Sequence, residues 1–199
     1  MGFIYLASQS PRRAQLLEQL GVRFKLLVPD ASEDTESLEI AIKNEAARAY
    51  VERVTGLKLD AALLRMRKRG LPAAPVLCSD TTVALGCNIY AKPANAQDAQ
   101  RMLAQLSGKT HRVLTAVALQ SGKTRVEVVS VSRVAFAPMT VAQIKAYVAT
   151  GEPMGKAGAY AIQGRAAAFV SHLSGSYSGI MGLPMFETAQ LLRDLKLLK

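Results

Sequence analysis

A short apolar run, Pro75–Cys78, constrains the fold more than any other stretch of this 199-residue chain. Its pattern is typical of a strand buried on both faces, and such strands occur in α/β proteins, whose sheets carry helices on both sides. Ser79–Thr82 follows at once, which predicts an acid, Asp80, at the carboxyl end of the strand. Ligands bind at that edge of open α/β sheets, so Asp80 is a candidate metal ligand or base. An ordinary turn residue is the alternative, and this run alone leaves both open.

The segment Ser8–Arg13 lies between a strand-like run and a helix-like run. Ser10 can cap the backbone amides of the helix, and Pro11 suits its first position. Arg12 and Arg13 fall in the first turn, where the positive end of a helix disfavours cations unless an anion is bound there. Hydroxyls, amides and guanidinium groups together favour a phosphate site, and a solvated basic helix start is the alternative. The candidate ligands are Ser8, Ser10, Arg12 and Arg13.

An acidic loop follows the second strand-like run, 24–28. Its acids are Asp30, Glu33, Asp34, Glu36 and Glu39. A polar loop that leads to a helix N-terminus accounts for most of them, because acids are favoured there. Glu33 is nearest to the strand end, and we take it as the candidate for a further role.

Helical periodicity next predicts a scaffold helix over 38–54, which a basic segment, 65–69, extends. The cations of this segment are expected on a solvated helix face. Contact with a nucleic acid is the less favoured alternative, because no aromatic residue lies among them for base stacking.

Two lysines and one glutamine are further candidates. Lys92 precedes Pro93 and is therefore biased towards an extended conformation from which it could reach a phosphate. The stretch 155–164 is rich in Gly and Ala, and small residues let a ligand approach the backbone closely. Within it, Lys156 suits a phosphate, whereas the Gln163 amide can both donate and accept, as reading a base edge requires. The alternatives are an exposed lysine without a role and a flexible connector.

Composition excludes several classes. The formal net charge of +10 favours an anionic partner. No apolar run is long enough to span a bilayer, and the N-terminus leads directly into a strand, so a cytoplasmic protein is expected. Cys78 and Cys87 lack metal-ligand spacing and are expected as buried thiols. His111 and His172 are isolated, so a Ser-His-Asp nucleophile is not indicated and a structural role is expected for His111.

Six motifs follow one another along nearly the whole chain. They are Ser8–Arg13, Ser79–Thr81, Lys92-Pro93, Ser107–His111, Lys156–Gly164 and Gly182–Pro184. In this order they resemble the Maf family of nucleoside triphosphate pyrophosphatases. The resemblance implies a two-lobed α/β fold, related to inosine triphosphate pyrophosphatases, with a central mixed sheet flanked by helices. Residues 1–199 would form one domain with the active-site cleft between its two lobes.

The resemblance also implies an activity. Enzymes of this family hydrolyse a nucleoside triphosphate to its monophosphate and pyrophosphate with a divalent cation, Mg²⁺ or Mn²⁺, and are commonly cytoplasmic homodimers. The branch that acts on dTTP and UTP is similar to this chain at Arg12, Thr81 and Gln163. The alternatives are cleavage of 7-methyl-GTP or of a broader set of purine nucleotides, and a nucleic-acid-binding regulator of cell division, to which the family's septum-formation name refers.

One position departs from the family pattern. A Lys-Ala pair is usual on the helix after the acidic loop, whereas this chain has Glu45–Arg48, so the lysine is interpreted as replaced by Ala46. Lys43 or Arg48 would then have to substitute for it. The basic segment 57–70 is also longer than usual.

Combining the residues with the resemblance gives a set of expected roles. Arg12, Arg13, Lys92 and Lys156, with Ser8 and Ser10, would bind the triphosphate. Glu33 and Asp80 would be the catalytic acids that bind the metal, with Asp80 also deprotonating the attacking water. Thr81 and Gln163 would read a pyrimidine base, together with Arg12.

Overall fold

The computed structural model describes residues 2–31, 33–34 and 37–198, so Glu36 of the acidic loop lies outside the described residues. The strands are β1 (Ile4–Leu6), β2 (Phe24–Leu26), β3 (Val76–Leu85), β4 (Asn88–Tyr90), β5 (Thr110–Ser121), β6 (Thr124–Phe136) and β7 (Val170–Ser174). The α-helices are α1 (Pro11–Gln19), α2 (Ala47–Lys68), α3 (Ala96–Leu106), α4 (Val141–Ala149), α5 (Tyr177–Met181) and α6 (Met185–Asp194). Short 3-10 helices lie at Ser37–Glu39, Ala157–Ala159 and Arg165–Phe169.

The seven strands of the described residues form one mixed sheet in the order β2-β1-β3-β5-β6-β7, with β4 paired to β3. β1 is parallel to both β2 and β3, whereas the remaining pairs are antiparallel. Helices pack on the sheet through four clusters of buried apolar side chains. The predicted α/β class with a central mixed sheet flanked by helices is therefore confirmed. The division of 1–199 into two lobes stays a prediction.

The sheet contains a gap beside β3. β5 pairs with β3 along almost its whole length, from Val76 to Ala84. On the opposite side, β1 pairs only as far as Leu77, and β4 begins to pair at Val83. Residues 78–82 therefore have a strand on one side only. Asp80 lies within this stretch, which among the described strands pairs with β5 alone, so the prediction that it follows the carboxyl end of its strand is wrong: pairing with β5 keeps the backbone extended past it.

Helix α2 begins later than the periodicity predicts. The expected helix over 38–54 is wrong for its first nine residues, because α2 starts at Ala47. Ile40 and Ile42, which a helical stripe would bury, are 67% and 59% exposed. From Ala47 the helix continues through the basic segment to Lys68 and packs on β3 and β5. In the described part of the chain, no helix is long and apolar enough to cross a membrane.

His111 has the structural role that its isolation predicts. It is 1% exposed on β5, and its Nε2 atom lies 2.8 Å from the Tyr160 hydroxyl. The imidazole ring contacts Phe136 and Tyr160 edge to face, with centroids 5.0 and 5.4 Å apart. Burial lowers the pKa of His111 from 6.5 to about 4. Cys78 is buried as predicted, whereas Cys87 is exposed, so the prediction of a buried thiol is wrong for Cys87.

The free energy of unfolding should therefore fall in mild acid through His111. The unfolded chain protonates this residue near pH 6.5 and the folded chain only near pH 4, so stability is lost as the pH falls through that window. We expect a loss of about 2 kcal/mol between pH 7 and pH 5. The free energy of unfolding of His111→Gln, measured with urea at both pH values, should lack this loss. His172 is exposed, so the His172→Gln variant should keep it. Equal pH dependence in wild type and His111→Gln would contradict the assignment.

Candidate active site

A cavity of about 550 Å³ opens at the gap beside β3. It is lined by segments that are far apart in sequence, including the turn before α1, the middle of β3 and the loop before the 3-10 helix at 157–159. Nine of the predicted site residues line it, namely Ser8, Ser10, Arg12, Arg13, Asp80, Thr81, Lys92, Lys156 and Gln163. The tertiary structure thus brings together every predicted site residue except Glu33.

The turn before α1 presents free polar groups to the cavity. Pro11 occupies the first helical position as predicted, but the Ser10 side chain makes no capping hydrogen bond. Instead, the Ser10 backbone N–H donates to Ser8 Oγ at 3.1 Å. The first turn contains no acid, and the basic Arg12 and Arg13 remain at the positive end of the helix. This is the unfavourable charge arrangement that a bound anion would relieve.

Arg13 contacts three segments that line the cavity, namely the turn before α1, the strand β3 and the loop at Gly182. Its Nε donates to the Gly182 carbonyl at 2.8 Å, and its two terminal nitrogens lie 3.3 Å from Ser8 Oγ and 3.4 Å from Thr81 Oγ1. Burial lowers the pKa of the guanidinium from its ordinary value, although the charge of Asp80 opposes the change. Arg13 is therefore held in place by β3 and the Gly182 loop, with its charge inside the cavity.

Arg12 and Lys156 form a second group of positive charge. Arg12 Nε lies 3.4 Å from the Met181 carbonyl, and the Lys156 ammonium donates to the carbonyls of Glu152 and Met154. Burial, and then the charge of Arg12, lowers the pKa of Lys156. Neither side chain forms an ion pair with a carboxylate among the described residues. Two adjacent cations without a carboxylate suit a multiply charged anion.

Two carboxylates share one lysine on the α2 side of the cavity. Lys58 Nζ lies 2.5 Å from Asp80 Oδ1 and 2.7 Å from Glu39 Oε1, and Lys92 Nζ lies 2.9 Å from both Glu39 oxygens. Burial opposes the charge of Lys58, but Asp80 and Glu39 outweigh it and raise the pKa of the lysine. Lys58 and Lys92 likewise outweigh burial and hold the pKa of Glu39 below its ordinary value.

Glu33 is not part of this group, which corrects the expectation for it. Glu33 lies outside the cavity lining, with its carboxylate 2.8 Å from Arg65 and 3.1 Å from Arg69. Arg65 is 5% exposed, and a buried guanidinium requires a counter-charge. The acid of this loop that lines the cavity is Glu39 instead. The Tyr50 hydroxyl donates a hydrogen bond to the Glu39 backbone carbonyl at 2.9 Å. The predicted solvated face is accordingly wrong for Arg65, whereas Arg69 is exposed as predicted; both side chains bind the acidic loop to α2.

Lys58 is the functional residue that the sequence interpretation missed. The family lysine was interpreted as replaced by Ala46, with Lys43 or Arg48 as possible substitutes, but the lysine that α2 supplies to the cavity is Lys58. Lys43 is exposed, and Arg48 pairs with Glu52 at 3.0 Å, away from the cavity lining. A signal was present, since the buried Arg65 and Lys58, whose side chain is 19% exposed, occupy helical positions in line with the buried residues of α2, where apolar residues are expected.

Thr81 and Gln163 line the cavity together with apolar residues, among them Ala161 and Ile162. Thr81 Oγ1 lies 2.9 Å from Thr115 Oγ1, and the exposed Gln163 side chain follows the buried residues Ala161 and Ile162. Apolar surface with the exposed Gln163 amide beside it could receive a nucleobase and bond to its edge.

The oxygen ligands present fit a hard divalent cation. Mg²⁺ is commonly held by one or two protein carboxylates together with substrate phosphates, and it prefers oxygen ligands. Asp80 and Glu39 provide two carboxylates that line the same cavity as the cations. A cluster of three or more His, Cys, Asp or Glu side chains is absent from the described residues, so the phosphates would complete the coordination.

Comparisons with known proteins identify the family. Residues 3–195 match the Maf family, described as Maf-like protein. Curated relatives from Polaromonas sp., Albidiferax ferrireducens and Cupriavidus metallidurans, each named dTTP/UTP pyrophosphatase, are 69%, 70% and 59% identical to this chain. The matches cover 96% of this chain in each case and 95%, 96% and 96% of the relatives. A solved structure, the Staphylococcus aureus Ham1 protein, has a TM-score of 0.43 at 11% identity over 68% of this chain and 72% of that one, a likeness too weak to argue from. The chain belongs to the Maf family.

Proposed function

We propose that this protein is a nucleoside triphosphate pyrophosphatase that hydrolyses dTTP and UTP to the monophosphate and pyrophosphate. The observation that carries the proposal is the convergence of six cations, two carboxylates and the Gln163 amide on one cavity. Relatives that share 59–70% of its residues over nearly their whole length are named dTTP/UTP pyrophosphatase, which supports the nucleotide class.

Each group has a role in the proposed reaction. Water that attacks the α-phosphorus meets negative oxygens, so cations must neutralise the charge that develops. Arg12, Arg13, Lys92 and Lys156 bind the triphosphate, and Ser8 and Ser10 add hydroxyl and amide contacts. Asp80 accepts the proton of the attacking water. Lys58, which lies 2.5 Å from Asp80, orients that carboxylate and prevents two acids from repelling the substrate.

A divalent cation is part of the proposal. Asp80 and Glu39 are the residues that would hold Mg²⁺ or Mn²⁺, with Glu39 replacing Glu33 in this role. When bound, such a cation neutralises phosphate charge and lowers the pKa of coordinated water. We also propose a homodimer in the cytoplasm, on the resemblance to the family. Light scattering would test whether the protein is a homodimer, and cell fractionation would test whether it is in the cytoplasm.

Product analysis tests the proposed reaction directly. Wild-type protein should release pyrophosphate and a monophosphate from dTTP and UTP in the presence of Mg²⁺ or Mn²⁺, and more slowly from CTP, GTP and 7-methyl-GTP. Preference for 7-methyl-GTP or GTP would favour the purine alternative. Binding to DNA that weakens steeply with salt, without any hydrolysis, would favour a nucleic-acid-binding regulator.

The base-reading role of Gln163 predicts a change in specificity. A uracil or thymine edge offers both a donor and acceptors, and a carboxylate at this position could only accept. Gln163→Glu should lower kcat/KM for UTP about 10- to 100-fold, which corresponds to one or two lost hydrogen bonds. Gln105→Glu, on the exposed face of α3, is the matched control and should leave UTP cleavage unchanged. An unaltered substrate profile in Gln163→Glu would remove this residue from the specificity site.

A further inference from the structure

Glu152 lies outside the cavity lining and contacts the Gly- and Ala-rich loop, 155–164, that carries Lys156 and Gln163. Its Oε2 accepts the backbone N–H of Arg165 at 3.1 Å, and its Oε1 lies 3.5 Å from the N–H of Ala166. Burial would raise the pKa of Glu152, but these amides and the Tyr147 hydroxyl outweigh it and lower the pKa. The carboxylate therefore anchors the chain immediately after Gln163.

The chain before Gln163 is anchored to the same carboxylate through Tyr147. The Tyr147 hydroxyl donates to Glu152 Oε1 at 2.8 Å and accepts the backbone N–H of Ala161 at 3.3 Å. Ala161 is two residues before Gln163, and Arg165 is two residues after it. One charged group thus fixes the backbone on both sides of the amide that would read the base.

Gly164 provides a second and independent sign of this contact. A Cβ atom built at Gly164 would lie 2.4 to 2.5 Å from the Glu152 carboxylate, closer than such atoms approach. The Gly164 φ of −105° is open to any residue, and the three atoms nearest to an added Cβ all belong to the Glu152 carboxylate. The loop is packed directly on Glu152.

The backbone of Glu152 reaches the other functional residue. Its carbonyl accepts a hydrogen bond from the Lys156 ammonium, which lines the cavity. Lys156 suits the phosphates and Gln163 suits the base. The position of Glu152 therefore affects where the groups for both ends of a bound nucleotide lie relative to each other.

We propose that Glu152 is the positioning residue that holds Gln163 in register with Lys156 and thereby determines selectivity for uracil and thymine nucleotides. This inference rests on the proposed function. Glu152 does not line the cavity and acts through the loop. A merely structural role would lower stability without changing the choice between bases.

Selectivity between UTP and CTP tests the inference, because these substrates share the sugar and the triphosphate and differ only at the base edge. We expect Glu152→Gln to reduce the UTP:CTP ratio of kcat/KM about tenfold, mainly through a higher KM for UTP, because the amide cannot accept every hydrogen bond that the carboxylate accepts. Tyr147→Phe should act in the same direction. Glu187→Gln is the matched control, since Glu187 also accepts a hydroxyl hydrogen bond, from Ser130, outside the cavity lining.

A double-mutant cycle isolates the contact itself. Gly164→Ala should lower the UTP:CTP ratio in the wild-type background but change it much less in Glu152→Ala, where the obstructing carboxylate is gone. Hydrogen exchange gives a readout that does not depend on turnover: the amides of Arg165 and Ala166 should exchange at least tenfold faster in Glu152→Ala, without the same change in α3.

The outcomes separate the two proposals. A wild-type protein that does not cleave UTP would overturn the proposed function, whereas exchange of the Arg165 and Ala166 amides would still test the anchor. If the wild type cleaves UTP, an unchanged UTP:CTP ratio in both Glu152→Gln and Tyr147→Phe would overturn the positioning role. Additive effects of Gly164→Ala and Glu152→Ala would do the same.

Discussion

Replacing Asp80 with asparagine should lower kcat for UTP about 10³-fold, the largest effect we expect from a single substitution. Asparagine keeps the shape of the side chain but cannot accept the proton of the attacking water, and a positioned general base contributes about 10²- to 10⁴-fold. It is also a weaker ligand for a divalent cation than a carboxylate. Steady-state kinetics with pyrophosphate detection would measure the effect, and KM should change much less than kcat.

The fold should tolerate this substitution. Lys58 retains its ion pair with Glu39 at 2.7 Å, so no isolated charge is left in the cavity wall. Asp60→Asn is the matched control, because Asp60 lies on α2 and pairs with Arg125 at 2.8 Å, outside the cavity lining. Nearly normal turnover by a folded Asp80→Asn protein would remove Asp80 from the role of base.

Replacing Lys58 with methionine should lower kcat/KM for UTP about 10²-fold and the free energy of unfolding by about 3 kcal/mol. Methionine fills a similar volume but leaves Asp80 without its cation, since no other ion pair of Asp80 exists among the described residues. Glu39 keeps Lys92. Two acids that no longer share a lysine would repel both each other and the incoming phosphates. Kinetics and urea unfolding would measure the two effects.

The controls for this prediction are the two residues that the sequence first suggested. Lys43→Met and Arg48→Met should be nearly neutral in both assays, because Lys43 is exposed and the ion pair that Arg48 forms among the described residues, with Glu52, is exposed. A large loss of activity in either variant, with full activity in Lys58→Met, would show that the helix lysine has been assigned to the wrong position.

Local patterns predicted those parts of the site that depend on a few neighbouring residues. Pro11 at the start of α1 is an example, because its fixed φ and missing N–H act at one position. The extended run from Phe24 that forms β2 is another. The length of β3 was not predictable in this way, since Ser79–Thr82 remains extended through pairing with β5, more than 30 residues away in the chain.

Charge pairing was the main feature that local patterns could not decide. Glu33 and Glu39 lie in one acidic loop, and nothing in their neighbourhood distinguishes them. Arg65 binds Glu33 and Lys58 binds Glu39 because of where α2 places these cations, 32 and 19 residues further along the chain. The interaction of charges depends on their distance in space and on burial, and neither is encoded by spacing in the sequence.

The sequence alone determined the α/β class and the family, and it predicted the cations and Asp80 that line the cavity. The class follows from backbone preferences and apolar periodicity, which act within short segments, and the family follows from the order of motifs along the chain. Only the tertiary structure decided which acid and which lysine accompany Asp80, and that Glu152 anchors the loop of Gln163. Those pairings exist because folding closes long loops and brings charged and polar groups within about 3 Å of one another, where burial makes each unpaired group costly.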